Sequence, residues 1–179
     1  MQKAMETFHE MVDAGVKPNI LTYTTLVKGW ASASFPEKAV LCFEQMKADG
    51  IMPDLVTFLV LLTACSHAGL VKEGQIMFTD MHFLYNLFPG SEHYTCMVDM
   101  LGRAGRLEEG SCMVDEMAYR PMAETWLVLL GSCRINGNLK LAEHVSECIW
   151  KLDPKNTSAF LLLENVYSTF AEAEMRDMG

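Results

Sequence analysis

Apolar residues recur along the chain at intervals of three and four, the spacing that builds a stripe down one side of an α-helix. Phe58, Leu61, Leu62 and Cys65 follow it and share one face. The pair Ala68-Gly69 stops that helix, and the next runs from Val71 to Tyr85. Pro89 closes the unit, because proline has no N–H to donate and a fixed φ. Met1 to Ala14 reads as the second helix of a pair, so the chain begins inside a repeat.

Three independent markers give the period. Pro18, Pro53, Pro89, Pro121 and Pro154 are separated by 35, 36, 32 and 33 residues. Tyr23, Phe58, Tyr94, Trp126 and Phe160 step by 35, 36, 32 and 34. The turn pairs Ala33-Ser34, Ala68-Gly69, Ala104-Gly105 and Asn136-Gly137 step by 35, 36 and 32. Each unit is therefore two helices. One helix pair cannot bury its own apolar face, so the pairs stack, and the expected fold is an all-α solenoid with a concave surface. Periodicity alone leaves its handedness open.

Composition agrees with a packed core: half of the 179 residues are hydrophobic and 21% are charged. The formal charge of −9 lacks the basic footprint of a protein held to nucleic acid by phosphate contacts, so any recognition must come from a few placed side chains. Lys28, Lys38 and Lys47, and further on Arg103, Arg106 and Arg134, are scattered among acids. The apolar run Leu55 to Leu62 is soon interrupted by His67 and Lys72, far short of the ~20 residues that span a bilayer, so no membrane contact is expected.

Cys42, Cys65, Cys96, Cys112, Cys133 and Cys148 form no C-x-x-C, and none sits beside a His at zinc-ligand spacing, which fits a reduced compartment. Cys65 and Cys133 hold equivalent positions, where other units carry Trp30 and Leu101, and read as packing residues; Met46, Met81 and Met117 read as core. His144 and Cys148 stand four apart on one helix, a spacing without a catalytic partner set. None of His9, His67, His82, His93 or His144 is followed two residues later by Glu, so a zinc-bound water with a Glu proton shuttle cannot be assembled. No enzyme activity, metal or other cofactor is expected.

The stretch ILTYTTLVKGWASASFPEKAVLCFEQMKADGIMPD, residues 20–54, resembles a pentatricopeptide repeat of the 35-residue type, and residues 1–19 resemble the end of the repeat before it. LLTACSHAGLVKEG, within 55–90, looks like the long repeat of the plant editing-factor subclass of that family. EHYTCMVDMLGRAGRLEEG, within 91–122, looks like its short repeat. WLVLLGSCRINGNLKLAEHVSECIWKLDPKNTSAFLLLENVYS looks like its extension, a tetratricopeptide-like unit over 123–156 closed by Leu152, Asp153, Pro154 and Asn156, with a truncated second unit over 157–179.

The resemblance implies single-stranded organellar RNA as partner, with the fifth and last residues of a repeat hydrogen-bonding the Watson–Crick edge of one base. Here that pair is Thr24 with Asp54, which favours guanine, with Leu21 and Val56 as the aliphatic clamp of the base. The alternative is that Leu21 and Val56 pack within the solenoid and Thr24 is a solvated helix-start residue. Asn19 lacks its fifth-position partner, Leu59 has no polar atom, and Glu92 and Glu124 occupy later clamp positions, so the reading surface fades after Val56. Arg103, at the end of a first helix where family members often carry a Lys, is the candidate phosphate contact.

The extension, residues 123–179, implies contact with editing accessory proteins or a deaminase acting in trans; the alternative is a solenoid cap. The implied location is the mitochondrion or the chloroplast, the presequence lying outside this chain. The functional expectation is a non-catalytic RNA-binding adaptor in C-to-U editing; the alternative is a protein-interaction scaffold with negligible RNA binding.

Overall fold

A computed structural model describes residues 1–177 and side chains through residue 171. Among these the chain forms ten helices and no strand. They are α1 (Gln2–Asp13), α2 (Ile20–Ser32), α3 (Pro36–Ala48), α4 (Leu55–Ala68), α5 (Val71–Phe83), α6 (Ser91–Arg103), α7 (Leu107–Asp115), α8 (Ala123–Asn136), α9 (Leu139–Leu152) and α10 (Thr157–Asp177). The fold is an all-α helical-repeat solenoid. It divides into two compact units, Met1–His93 and the chain from Tyr94 onward.

In the first unit α2 packs on α3 and α4, and α4 also packs on α3 and α5. Phe58, Leu61, Leu62 and Cys65 are all buried, as their shared face requires, together with Met46 and Met81. Edge-to-face rings, Phe8 on Tyr23 and Phe43 on Phe58, join successive pairs at centroid distances of 5.6 Å. The first helix of each pair ends in a left-handed residue: Gly69 at φ 70°, and Ser34 at φ 62° where a glycine would avoid the Cβ clash. Helix α5 ends at Phe83, two residues before the periodicity runs out, because Asn86 turns left-handed at φ 52° and Leu87 N–H donates back to Met81 O.

In the second unit α8 packs on α7 and α9, and α10 lies on both α8 and α9. Val98, Leu107, Val114 and Met117 share one core with Trp126, Leu129, Leu130, Cys133, Val145, Ile149 and Val166. This core is continuous across residues 122 and 123. All six cysteines are free thiols. Burial pushes the Cys65 thiol up to about 11 and the Cys133 thiol up to about 12, as expected of packing residues.

Candidate nucleic-acid interface

Asp54 is the N-cap of α4: its Oδ1 accepts from the backbone N–H of Thr57 at 2.8 Å. Asn19 does the same one repeat earlier, accepting from Thr22 N–H at 3.0 Å. These residues stand where they do because a helix start leaves N–H groups that a short polar side chain can satisfy. Asp54 Oδ1 also accepts from the Thr57 hydroxyl at 2.8 Å, and Thr57 Oγ1 lies 2.9 Å from Thr24 Oγ1 on α2. Thr24 and Asp54 are thus brought together through Thr57, which is fully buried between α2 and α4. Thr24 is half-buried and bonded into the helix interface, so it is not a solvated helix-start residue.

Leu21 and Val56 are 72% and 56% exposed in this chain. One turn beyond Thr24, Lys28 lines an open cleft of about 740 Å³ with Ser32, Leu59, Thr63 and His67. Lys38 lies over the rings of Trp30 and Phe35 at 4.5 and 5.1 Å, and Lys47 pairs with Glu44 at 2.7 Å, so both cations are engaged elsewhere. Lys28 has no ion pair among the described residues. The sequence reading named Thr24 and Asp54 but missed Thr57; the available signal was a Thr immediately before the aromatic marker Phe58.

The second unit carries the other candidates. Arg103 donates through Nε to both carboxylate oxygens of Asp99, at 3.0 and 2.9 Å, and its terminal nitrogens have no partner among the described residues. Glu92 and Glu124 are exposed at the clamp positions of later repeats. Thr95 meets Thr125 at 2.9 Å, the same threonine contact as Thr24 with Thr57. His144 Nε2 is 3.9 Å from Cys148 Sγ, but burial raises the pKa of that thiol, the opposite of what a nucleophile requires. Among the described residues no three His, Cys, Asp or Glu side chains are grouped to hold a metal ion, and no helix is long and apolar enough to cross a membrane.

Stacked helix pairs, with Asn19 and Asp54 capping the first helices of two successive pairs, define a helical-repeat protein. The profile of the pentatricopeptide repeat domain matches residues 6–68, and that of the PPR repeat matches residues 56–83 and 92–120. The chloroplastic pentatricopeptide repeat-containing protein CRR2 of Arabidopsis thaliana is 43% identical over 89% of this chain and 24% of its own length. A mitochondrial pentatricopeptide repeat-containing protein of the same plant is 37% identical over 100% of this chain and 29% of its own. The crystal structure of the maize pentatricopeptide repeat protein PPR10 superposes with a TM-score of 0.77 at 20% identity, covering 95% of this chain and 24% of that one. The same protein in complex with an 18-nt psaJ RNA element gives 0.68 at 23% identity, covering 99% and 26%. The chain belongs to the pentatricopeptide repeat family. It spans about a quarter of the length of the relatives it matches.

Proposed function

We propose that this chain is an RNA-binding segment of an organellar pentatricopeptide repeat protein, without catalysis of its own, in which Thr24 and Asp54 read one guanine. The observation that carries the reading is the hydrogen-bonded group of Thr24, Thr57 and Asp54, flanked by the exposed side chains of Leu21 and Val56. Exposed aliphatics beside a polar pair suit a planar base whose faces are apolar and whose edge is polar. Lys28 in the adjacent cleft and the free end of Arg103 are the cations offered to phosphate. With a formal charge of −9, counterion release contributes little, so affinity of the segment alone is low.

The finer reading is C-to-U editing with a deaminase supplied in trans, the extension from residue 123 contacting it or an accessory protein. Phe160, Leu161 and Tyr167 on α10 are exposed and support a protein-contact role. Organellar location rests on relatives named chloroplastic and mitochondrial.

The test is fluorescence anisotropy at low salt with short RNAs differing at one base. Asp54→Asn should move the preference from guanine toward adenine. An amide that caps α4 through its oxygen presents its NH2 outward, where adenine offers a ring-nitrogen acceptor. Equal loss of binding to all four bases would make Asp54 structural only and overturn the reading.

A further inference from the structure

Thr57 Oγ1 carries a single hydrogen. Its 2.8 Å bond to Asp54 Oδ1 uses that hydrogen, because a carboxylate oxygen only accepts. The 2.9 Å contact between Thr57 and Thr24 must then run with Thr24 as donor. The chain of bonds therefore has one direction, from Thr24 to Thr57 to Asp54. We propose that Thr57, too deeply buried to touch a base, sets the base preference of the Thr24/Asp54 site by fixing this direction. The proposal rests on the reading of Thr24 and Asp54 as the base-contacting pair.

With its hydrogen committed inward, Thr24 offers only lone pairs outward. Asp54 Oδ2 has no partner among the described residues and can also only accept. The site is acceptor next to acceptor. Guanine alone presents two neighbouring donors, N1–H and N2–H, on its Watson–Crick edge. Adenine and cytosine set one amino donor beside a ring acceptor, and uracil places acceptors on both sides of its one donor. Without the Thr57 hydroxyl, Thr24 regains a rotatable O–H and can satisfy an acceptor, so adenine is no longer disfavoured at that atom.

The next two repeats lack the complete chain. His93 occupies the place of Thr57 in the next repeat, opposite Leu59; its Nε2 bonds Leu55 O at 2.9 Å and its Nδ1 accepts from Gly90 N–H at 3.1 Å. Thr95 and Thr125 touch at 2.9 Å, but Met122, the N-cap of α8, has no carboxylate to orient them. Asn19 accepts from the Thr22 hydroxyl at 3.1 Å, the same inner bond as that of Asp54 with Thr57.

The experiment measures the guanine-to-adenine affinity ratio of the full chain by anisotropy, for wild type, Thr57→Val, Thr57→Ser and Asp54→Asn, each checked first by thermal melting. Thr57→Val should lower the ratio roughly tenfold, the scale of one lost base contact, while Thr57→Ser, which keeps the hydroxyl, should retain it. Thr57→Ala gives the same readout where the second methyl of valine does not fit. A ratio unchanged in Thr57→Val and Thr57→Ala while Asp54→Asn moves it overturns the role of Thr57 and leaves the site reading standing. Uniform weakening toward all bases in Thr57→Val also overturns it, since that is a purely structural effect. A wild type without base preference overturns both.

Discussion

Gly102 and Ser132 meet where α6 crosses α8, so closely that a Cβ on Gly102 would come within 2.5 Å of the Ser132 Cβ. Asn136 reinforces the crossing by donating to Gly102 O at 2.9 Å and to Ser132 O at 2.8 Å. Alanine is the better helix former by about 1 kcal/mol, yet the forced shift of a packed helix costs about 1–3 kcal/mol. Gly102→Ala should therefore lower stability in urea unfolding, and Ser132→Gly should restore part of the loss in a double-mutant cycle.

The buried Tyr23 hydroxyl donates to the Asp49 carboxylate, and burial, then that bond, hold its pKa well above the usual tyrosine range. Because the folded value is raised, the associated stability is fully present below the unfolded value near pH ~10 and is lost as pH climbs past it. Tyr23→Phe should cost about 1 kcal/mol at neutral pH and remove this alkaline component. Urea titrations on either side of the unfolded tyrosine value would show whether the two proteins converge as expected.

Asp54→Ala should destabilise the first unit by about 1 kcal/mol through loss of the α4 cap, while Asp54→Asn should be near neutral, as the Asn19 cap already shows an amide in that role. Thermal melts would separate the two. The contrast makes Asp54→Asn the clean probe of base preference.

Thiol labelling should be graded by burial. Cys112 is exposed, whereas Cys65 and Cys133 are buried with raised pKa values. A maleimide at neutral pH should modify Cys112 promptly and reach Cys65 and Cys133 only on unfolding, read by intact mass.

If Arg103 binds phosphate through its free terminal nitrogens, Arg103→Ala should reduce the slope of log affinity against log salt by about 0.7, the single-strand value per charge. An unchanged slope would confine Arg103 to its pair with Asp99.

The helix pairs were legible in the sequence because Pro, aromatic and turn markers each report a local requirement: a helix boundary, a buried ring, a left-handed residue. Thr24 and Asp54 were reachable only through the family resemblance, since two polar residues 30 positions apart carry no periodic signal. Thr57 escaped because its hydroxyl matters only when α4 is laid beside α2. The cleft around Lys28 and the close approach at Gly102 are likewise products of packing between helices. The end of α5 was misplaced because Asn86 stops a helix as glycine does, and the apolar pattern runs on past it.

The core that joins Val98 and Leu107 to Trp126 and Ile149 makes residue 122 a poor splice point. A chimera exchanged there would inherit two halves from unrelated parents, each shaped for side chains it no longer meets. Exchange before Ser91 would carry α6 to α10 as one cassette and keep the core that spans residue 122 intact. Modular recombination of this chain with other repeats is thus governed by where buried side chains interlock, which disfavours a cut at residue 122.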